Sequence, residues 1–128
     1  MKEKIITVLQ VEPMRIPKPC QLANNLTALQ DAVSIGADSR GLIEVINLDA
    51  KTCLICNEEG KLLGLTPNRR LGMDIICGVF YVAGQDHKGN FTSLSKEAME
   101  YYQNIFQHPD VIDAEEVSQL IMGGFYVM

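Results

Sequence analysis
The residues best suited to chemistry lie between Cys56 and Gly78, in CNEEGKLLGLTPNRRLGMDIICG. Arg69 and Arg70 each offer a planar fork of donors that matches a carboxylate or a phosphate. Asn68 follows Pro67 and can close an Asx turn that shapes the chain before the arginines. Glu58 and Glu59 are the acids that could hold an arginine in place, and Lys61 and Asp74 extend the charged set. The pattern points to a contact surface for an anionic ligand or for another protein, built from Asn57, Glu58, Glu59, Lys61, Asn68, Arg69, Arg70 and Asp74. The competing reading is that the same ion pairs pin the loop to its own domain. Exposed pairs add little stability, which makes pinning a poor reason for such a loop.

Other constellations are less complete. Cys53-Leu54-Ile55-Cys56 has CxxC spacing, but it reads as part of a strand, where positions three apart point to opposite faces. Cys77 and His87 could bring the ligand count to four, yet Cys77 also sits in an apolar strand. Buried core thiols are the expectation, with no metal and no cofactor. A redox pair would sit at a helix start, where the dipole lowers a thiol pKa. His87 and His108 stand alone in loops, without a local partner to orient them as bases. Ser93 and Ser95 precede a helix, where hydroxyls serve as caps, and no GxSxG elbow surrounds them. Gly60, Gly64, Gly72 and Gly78 match neither the dinucleotide fingerprint nor a P-loop.

Residues 4–12 (KIITVLQVE) form a strand that stops at Pro13, and Ile16-Pro17-Lys18-Pro19 is an extended connector. Asn25 caps a helix with Leu26, Leu29 and Val33 on one face, and Gly36 fits its stop. Residues 42–48 and 52–56 form a hairpin about Asp49-Ala50-Lys51. Glu58-Glu59-Gly60 is a turn with glycine supplying positive φ. Residues 75–83 (IICGVFYVA) are one strand, apolar throughout, hence central or covered on both faces. A turn-rich loop at 84–90 leads to a Ser95-capped helix over 96–107, ended by His108-Pro109. Asp113 and Glu116 resemble a capping box for a last helix ending at Gly123-Gly124, with Phe125-Tyr126-Val127 as a terminal strand or loose tail. The order predicts an α+β fold, an antiparallel or mixed sheet of four to five strands with two to three helices on one face.

Length and charge bound the function. The 128 residues fit one domain, 1–128, with a core that needs no disulfide. Residues 1–70 hold nine basic and eight acidic side chains; residues 71–128 hold two and eight. An acidic balance argues against gripping phosphate backbones, and six per cent aromatics with no Trp is poor stock for stacking bases, so nucleic acid is not an expected partner. No apolar run approaches the roughly 18 residues that span a bilayer, and MKEKIITVLQVEPMR lacks the build of a signal peptide. A cytoplasmic protein with reduced cysteines is expected, and no membrane partner.

At this loop the sequence resembles the small bacterial and phage proteins grouped as domain of unknown function 3846. The resemblance rests on Cys56-Asn57-Glu58-Glu59-Gly60-Lys61-Leu62, Gly64-Leu65, Pro67-Asn68-Arg69, and Asp74-Ile75-Ile76 with Gly78, Phe80 and Val82. Phe91-Thr92-Ser93-Leu94, the Val11-Glu12-Pro13 strand end and the Leu26/Leu29 helix fit as well, covering roughly residues 4–107. Many members carry a longer acidic insertion where this chain has only Arg70-Leu71-Gly72-Met73, and the tail from Pro109 lies outside the resemblance. The resemblance implies a phage, plasmid or integrated-element setting and brings no activity. The leading expectation is a non-enzymatic binding or accessory module working through residues 57–74. One alternative is an acidic nucleic-acid mimic or counter-defence protein. The other is a small enzyme with Glu58 and Glu59 as acid and base and Arg69 as substrate clamp.

Overall fold
β-Branched and apolar residues at the chain start form β1 (Ile5–Val11), and its side chains divide between two cores. A computed structural model describes residues 3–126, with side chains described to residue 122. The remaining elements are β2 (Lys18–Ala23), α1 (Leu26–Val33), β3 (Ile43–Asp49), β4 (Thr52–Asn57), β5 (Pro67–Leu71), β6 (Asp74–Cys77), β7 (Phe80–Gln85), β8 (Phe91–Thr92), α2 (Lys96–Phe106) and α3 (Ala114–Tyr126). The main sheet is antiparallel in the order β2-β1-β7-β4-β3, with β8 paired to the end of β7. β5 and β6 form a separate two-stranded sheet. The fold is α+β.

Strand alternation sorts the core into two layers. Leu9, Val11, Leu54, Cys56, Phe80 and Val82 face α2 and meet Tyr102 and Phe106. Ile6, Val8, Cys53, Ile55, Tyr81 and Ala83 face α1 and meet Leu29 and Val33. Helices therefore cover both faces, not one as the element order predicts. Each fully buried aliphatic or aromatic side chain contributes about 1.5–3 kcal/mol. β4 and β7 are buried almost end to end, as their unbroken apolar runs require. The thiols of Cys53 and Cys56 fall in opposite layers.

The helix starts follow their caps. The Asn25 side chain accepts from the Ala28 N–H at 2.8 Å, and Ser95 Oγ accepts from the Ala98 N–H at 3.1 Å. Glu116 donates its N–H to Asp113 at 2.9 Å, half of the expected capping box; the Glu116 carboxylate goes to Arg70 instead.

Three sequence expectations change. The connector through Pro19 is an edge strand, β2, a place where proline is tolerated because its missing donor would face outward. The apolar run 75–83 is two strands, broken at Gly78, whose φ of 85° turns the chain from β6 into β7. The last helix runs through Gly123-Gly124 to Tyr126, so Phe125 and Tyr126 are helical, and Val127 lies outside the described residues. A third apolar cluster, Leu65, Ile75, Cys77 and Val117, joins α3 to the small sheet. Among the described residues no helix is long and apolar enough to cross a membrane.

Candidate functional site
β5 begins with Pro67 and carries Asn68 and Arg69 into the interior. Asn68 is fully buried and donates to the carbonyls of Val11 (2.8 Å) and Gly78 (2.9 Å). Arg69 is 1% exposed, yet none of its nitrogens meets a carboxylate within ion-pair distance among the described residues. Its guanidinium donates instead to the Phe106 carbonyl from Nε (3.1 Å) and Nη2 (2.9 Å), to the Arg15 carbonyl (2.7 Å), and to the Asn68 carbonyl and Oδ1 (3.3 and 2.8 Å). Phe106 is the last residue of α2, so the cation sits at the negative end of a helix. Burial holds the Arg69 pKa below the usual arginine value, with the Asp110 carboxylate pulling the other way. These five contacts match the five N–H groups of a guanidinium, and no fork is left for a ligand. Arg69 is a structural tie between β5, the end of α2 and the turn after β1. In that turn Met14 holds φ 63°, a conformation unfavourable by about 1–2 kcal/mol for a residue with a side chain.

Arg70 points the other way. Its Nη2 reaches Glu116 at 2.8 Å and the Val111 carbonyl at 3.3 Å, and its N–H donates to Asp110 at 2.8 Å. It latches β5 to the start of α3 and is not held by Glu58 or Glu59.

The Asn57–Leu65 turn forms the accessible part of the site. Asn57 is buried; its Nδ2 donates to the carbonyl of Val33, the last residue of α1, and its Oδ1 accepts from the Glu59 N–H at 2.9 Å. The two buried polar side chains Asn57 and Arg69 thus cap the C-terminal ends of the two helices on opposite faces of the sheet. Gly60 does not take positive φ. A Cβ there would meet the Cys77 carbonyl oxygen at 2.6 Å, so glycine is required by close approach of two backbones. The turn, β3 and β6 enclose a cleft of about 180 Å³ lined by Glu44, Asn57, Glu58, Glu59, Lys61 and the buried floor Cys56, Ile75, Ile76 and Cys77. Glu58 and Glu59 are exposed, and Lys61 Nζ is paired with Asp74 at 2.9 Å on the rim. Burial, followed by the Glu44 carboxylate, pushes the Cys56 thiol up to about 12, and burial raises Cys77 as well. Both remain protonated thiols near neutral pH. Among the described residues no group of three or more His, Cys, Asp or Glu is placed to hold a metal ion.

The eight residues that sequence reasoning grouped therefore divide in three. Asn57, Glu58, Glu59 and Lys61 line one cleft with Asp74 at its rim, Asn68 and Arg69 lie inside, and Arg70 faces α3. Glu44 was missed; its signal is a lone acid inside the apolar strand LIEVINL. Ser93 accepts from the Thr7 N–H at 2.9 Å and ties β1 to the start of α2, and His87 and His108 are exposed. Of the eight carboxylates after residue 70, five have local duties: Asp74 with Lys61, Asp86 within its own loop, Asp110 and Glu116 with Arg70, and Asp113 at α3.

The chain belongs to the family described as Domain of unknown function (DUF3846), whose model matches residues 6–107. The match ends one residue beyond α2, so α3 lies outside the matched residues. No curated protein and no solved structure matches the chain.

Proposed function
We propose that this protein is a binding module that receives a basic side chain of a partner protein in the cleft between the Asn57–Leu62 turn and β6. The observation that carries this reading is the charge of the rim. Glu44, Glu58 and Glu59 line the cleft, and its one cation, Lys61, is neutralised by Asp74. The floor of Cys56, Ile75, Ile76 and Cys77 suits an alkyl stem, with the ammonium or guanidinium held at the rim. A volume of about 180 Å³ is smaller than the roughly 300–1,000 Å³ of sites for drug-sized ligands, so it fits one side chain better than a nucleotide or cofactor.

This reverses the sign of the partner that the arginines suggest in the sequence. The engagement of every Arg69 donor favours a binding module over an enzyme with Arg69 as substrate clamp, and the local duties of five of the second half's carboxylates favour it over a nucleic-acid mimic. In the phage or mobile-element setting that the resemblance implies, the partner would be a host or element-encoded protein met in the cytoplasm.

Amide NMR during titration with N-acetyl-lysine amide, beside N-acetyl-norleucine amide and N-acetyl-glutamate amide, tests the reading. The lysine probe is expected to shift Glu44, Asn57–Lys61 and Ile75–Cys77. No shift there, or a larger shift with the glutamate probe, would sink it.

A further inference from the structure
The main sheet has two ends, and they differ. β2 is guarded by Lys18 and Pro19, the devices that keep an edge from pairing with another chain. β3 at the other end is seven residues long, has no proline, and among the described residues pairs only with β4. Its phase is fixed by the Glu58 N–H, which donates to the Leu42 carbonyl at 2.9 Å. In the register Ile43↔Asn57, Glu44↔Cys56, Val45↔Ile55, residues 42, 44 and 46 direct their backbone groups toward β4. The N–H and C=O groups of Ile43 and Val45, ahead of the register shift after Asn47, therefore face outward and meet no strand among the described residues. Leu42 and Val45 are exposed beside them (62% and 42%).

Charge selects the occupant. β3 carries Glu44 and Asp49 and no cation. Pairing with a second copy would bring four carboxylates together across the new ladder, between chains of net charge -5. A basic segment meets no such repulsion. Glu44 is also a wall of the cleft, so a strand laid against β3 sets the residue opposite Glu44 on the cleft side of the sheet. Its two neighbours fall on the opposite face, that of Val45.

We propose that the partner binds as an extended strand added to the β3 edge, with an alternating apolar–basic–apolar pattern whose lysine or arginine faces Glu44 and the cleft. This rests on the acidic-cleft reading above and adds the backbone half of recognition, in which main-chain bonds give affinity and alternate side chains give specificity.

The test uses the full chain and a capped peptide, Thr-Val-Thr-Val-Lys-Val-Thr-Val-Thr. Three further peptides carry norleucine for lysine, N-methyl groups on the pairing edge, or glutamate for lysine. Affinity is read by fluorescence anisotropy, and the amide exchange of Ile43 and Val45 by NMR. The expected result is exchange at Ile43 and Val45 slowed at least tenfold by the lysine peptide, with at least tenfold weaker binding for each altered peptide. Glu44→Gln with Glu58→Gln and Glu59→Gln should weaken the lysine peptide by a similar factor. Val45→Pro, which removes an outward N–H at an edge position, should do the same; if that variant unfolds, the N-methylated peptide makes the same test on the native protein. Binding that ignores N-methylation and leaves β3 exchange unchanged would overturn strand addition while keeping the acidic cleft. Slowed β3 exchange with equal affinity for lysine and norleucine would overturn the basic partner and the cleft reading together. Protection of β3 without peptide, rising with protein concentration and accompanied by a doubled mass, would assign the edge to a second copy and overturn the proposal.

Discussion
The inner and outer faces of β5 put the same guanidinium chemistry in two settings. On the inner face Arg69 is surrounded by main-chain carbonyls and the end of α2, without a carboxylate. On the outer face Arg70 is half exposed and meets Glu116 and Asp110 across water-accessible contacts. Removing a buried donor strands each carbonyl that it satisfied, at about 1–3 kcal/mol apiece, whereas exposed ion pairs contribute about 0–1 kcal/mol. Adjacent arginines therefore differ several-fold in what they hold together. Arg69 leaves no fork free, and Arg70 commits Nη2 to Glu116 and the Val111 carbonyl, whereas Glu58 and Glu59 across the small sheet are exposed.

The largest effect is expected of Arg69→Ala. It strands the carbonyls of Phe106, Arg15 and Asn68 and should cost about 3–5 kcal/mol, much of the whole stability of a domain this size. Arg69→Lys should recover only part, because a point charge cannot span three sites. Urea unfolding measures both, and a loss under about 1 kcal/mol would refute the tie. Next in size is Gly60→Ala. Its Cβ would press on the Cys77 carbonyl between two backbones that cannot give, at an expected cost of about 1–3 kcal/mol in the same assay.

Arg70→Ala should cost no more than about 1 kcal/mol globally. Its signature is local: faster amide exchange in α3, which is held by Val117 and the partly buried Ile112, Leu120 and Ile121. Unchanged exchange in α3 would mean that the apolar contacts alone hold the helix.

A smaller effect depends on pH. Tyr102 donates to Asp49 at 2.7 Å, and with the Lys51 N–H this bond holds the Asp49 carboxyl below its usual value. The folded state then favours the ionised form. Its contribution is complete above the unfolded value of about 3.9 and fades as pH falls below that toward the depressed folded value. Tyr102→Phe should cost about 1 kcal/mol at pH 6, and the gap to wild type should narrow toward pH 3. A gap that stays constant would place the hydroxyl's role elsewhere. Smallest of all, Glu58→Gln with Glu59→Gln should leave stability within about 0.5 kcal/mol of wild type, since both side chains are exposed.

Much of the frame was legible because local chemistry and fold agree. Asn25 and Ser95 cap as their types predict, the 43–57 hairpin follows its turn, and the Cys53/Cys56 parity follows from strand alternation. β2 was hidden because its prolines suit an edge strand and a connector equally. Asn68 and Arg69 leave the expected contact surface because the register of β5 against β6 shifts between Pro67 and Arg69 and both side chains turn inward, in a strand that the polar sequence NRR disguises as loop. Glu44 joins the cleft only through the pairing of β3 with β4, a tertiary fact carried by no local motif.

Under the proposed function, binding belongs to the carboxylates and not to the arginines. One salt-controlled anisotropy titration of the lysine-bearing strand peptide tests it, against wild type, Glu44→Gln/Glu58→Gln/Glu59→Gln, and Arg70→Ala. The expected result is at least tenfold weaker binding by the triple variant at unchanged melting temperature, and wild-type affinity for Arg70→Ala. Loss of binding by Arg70→Ala, with the triple variant binding as wild type, would contradict it and return the site to the arginine.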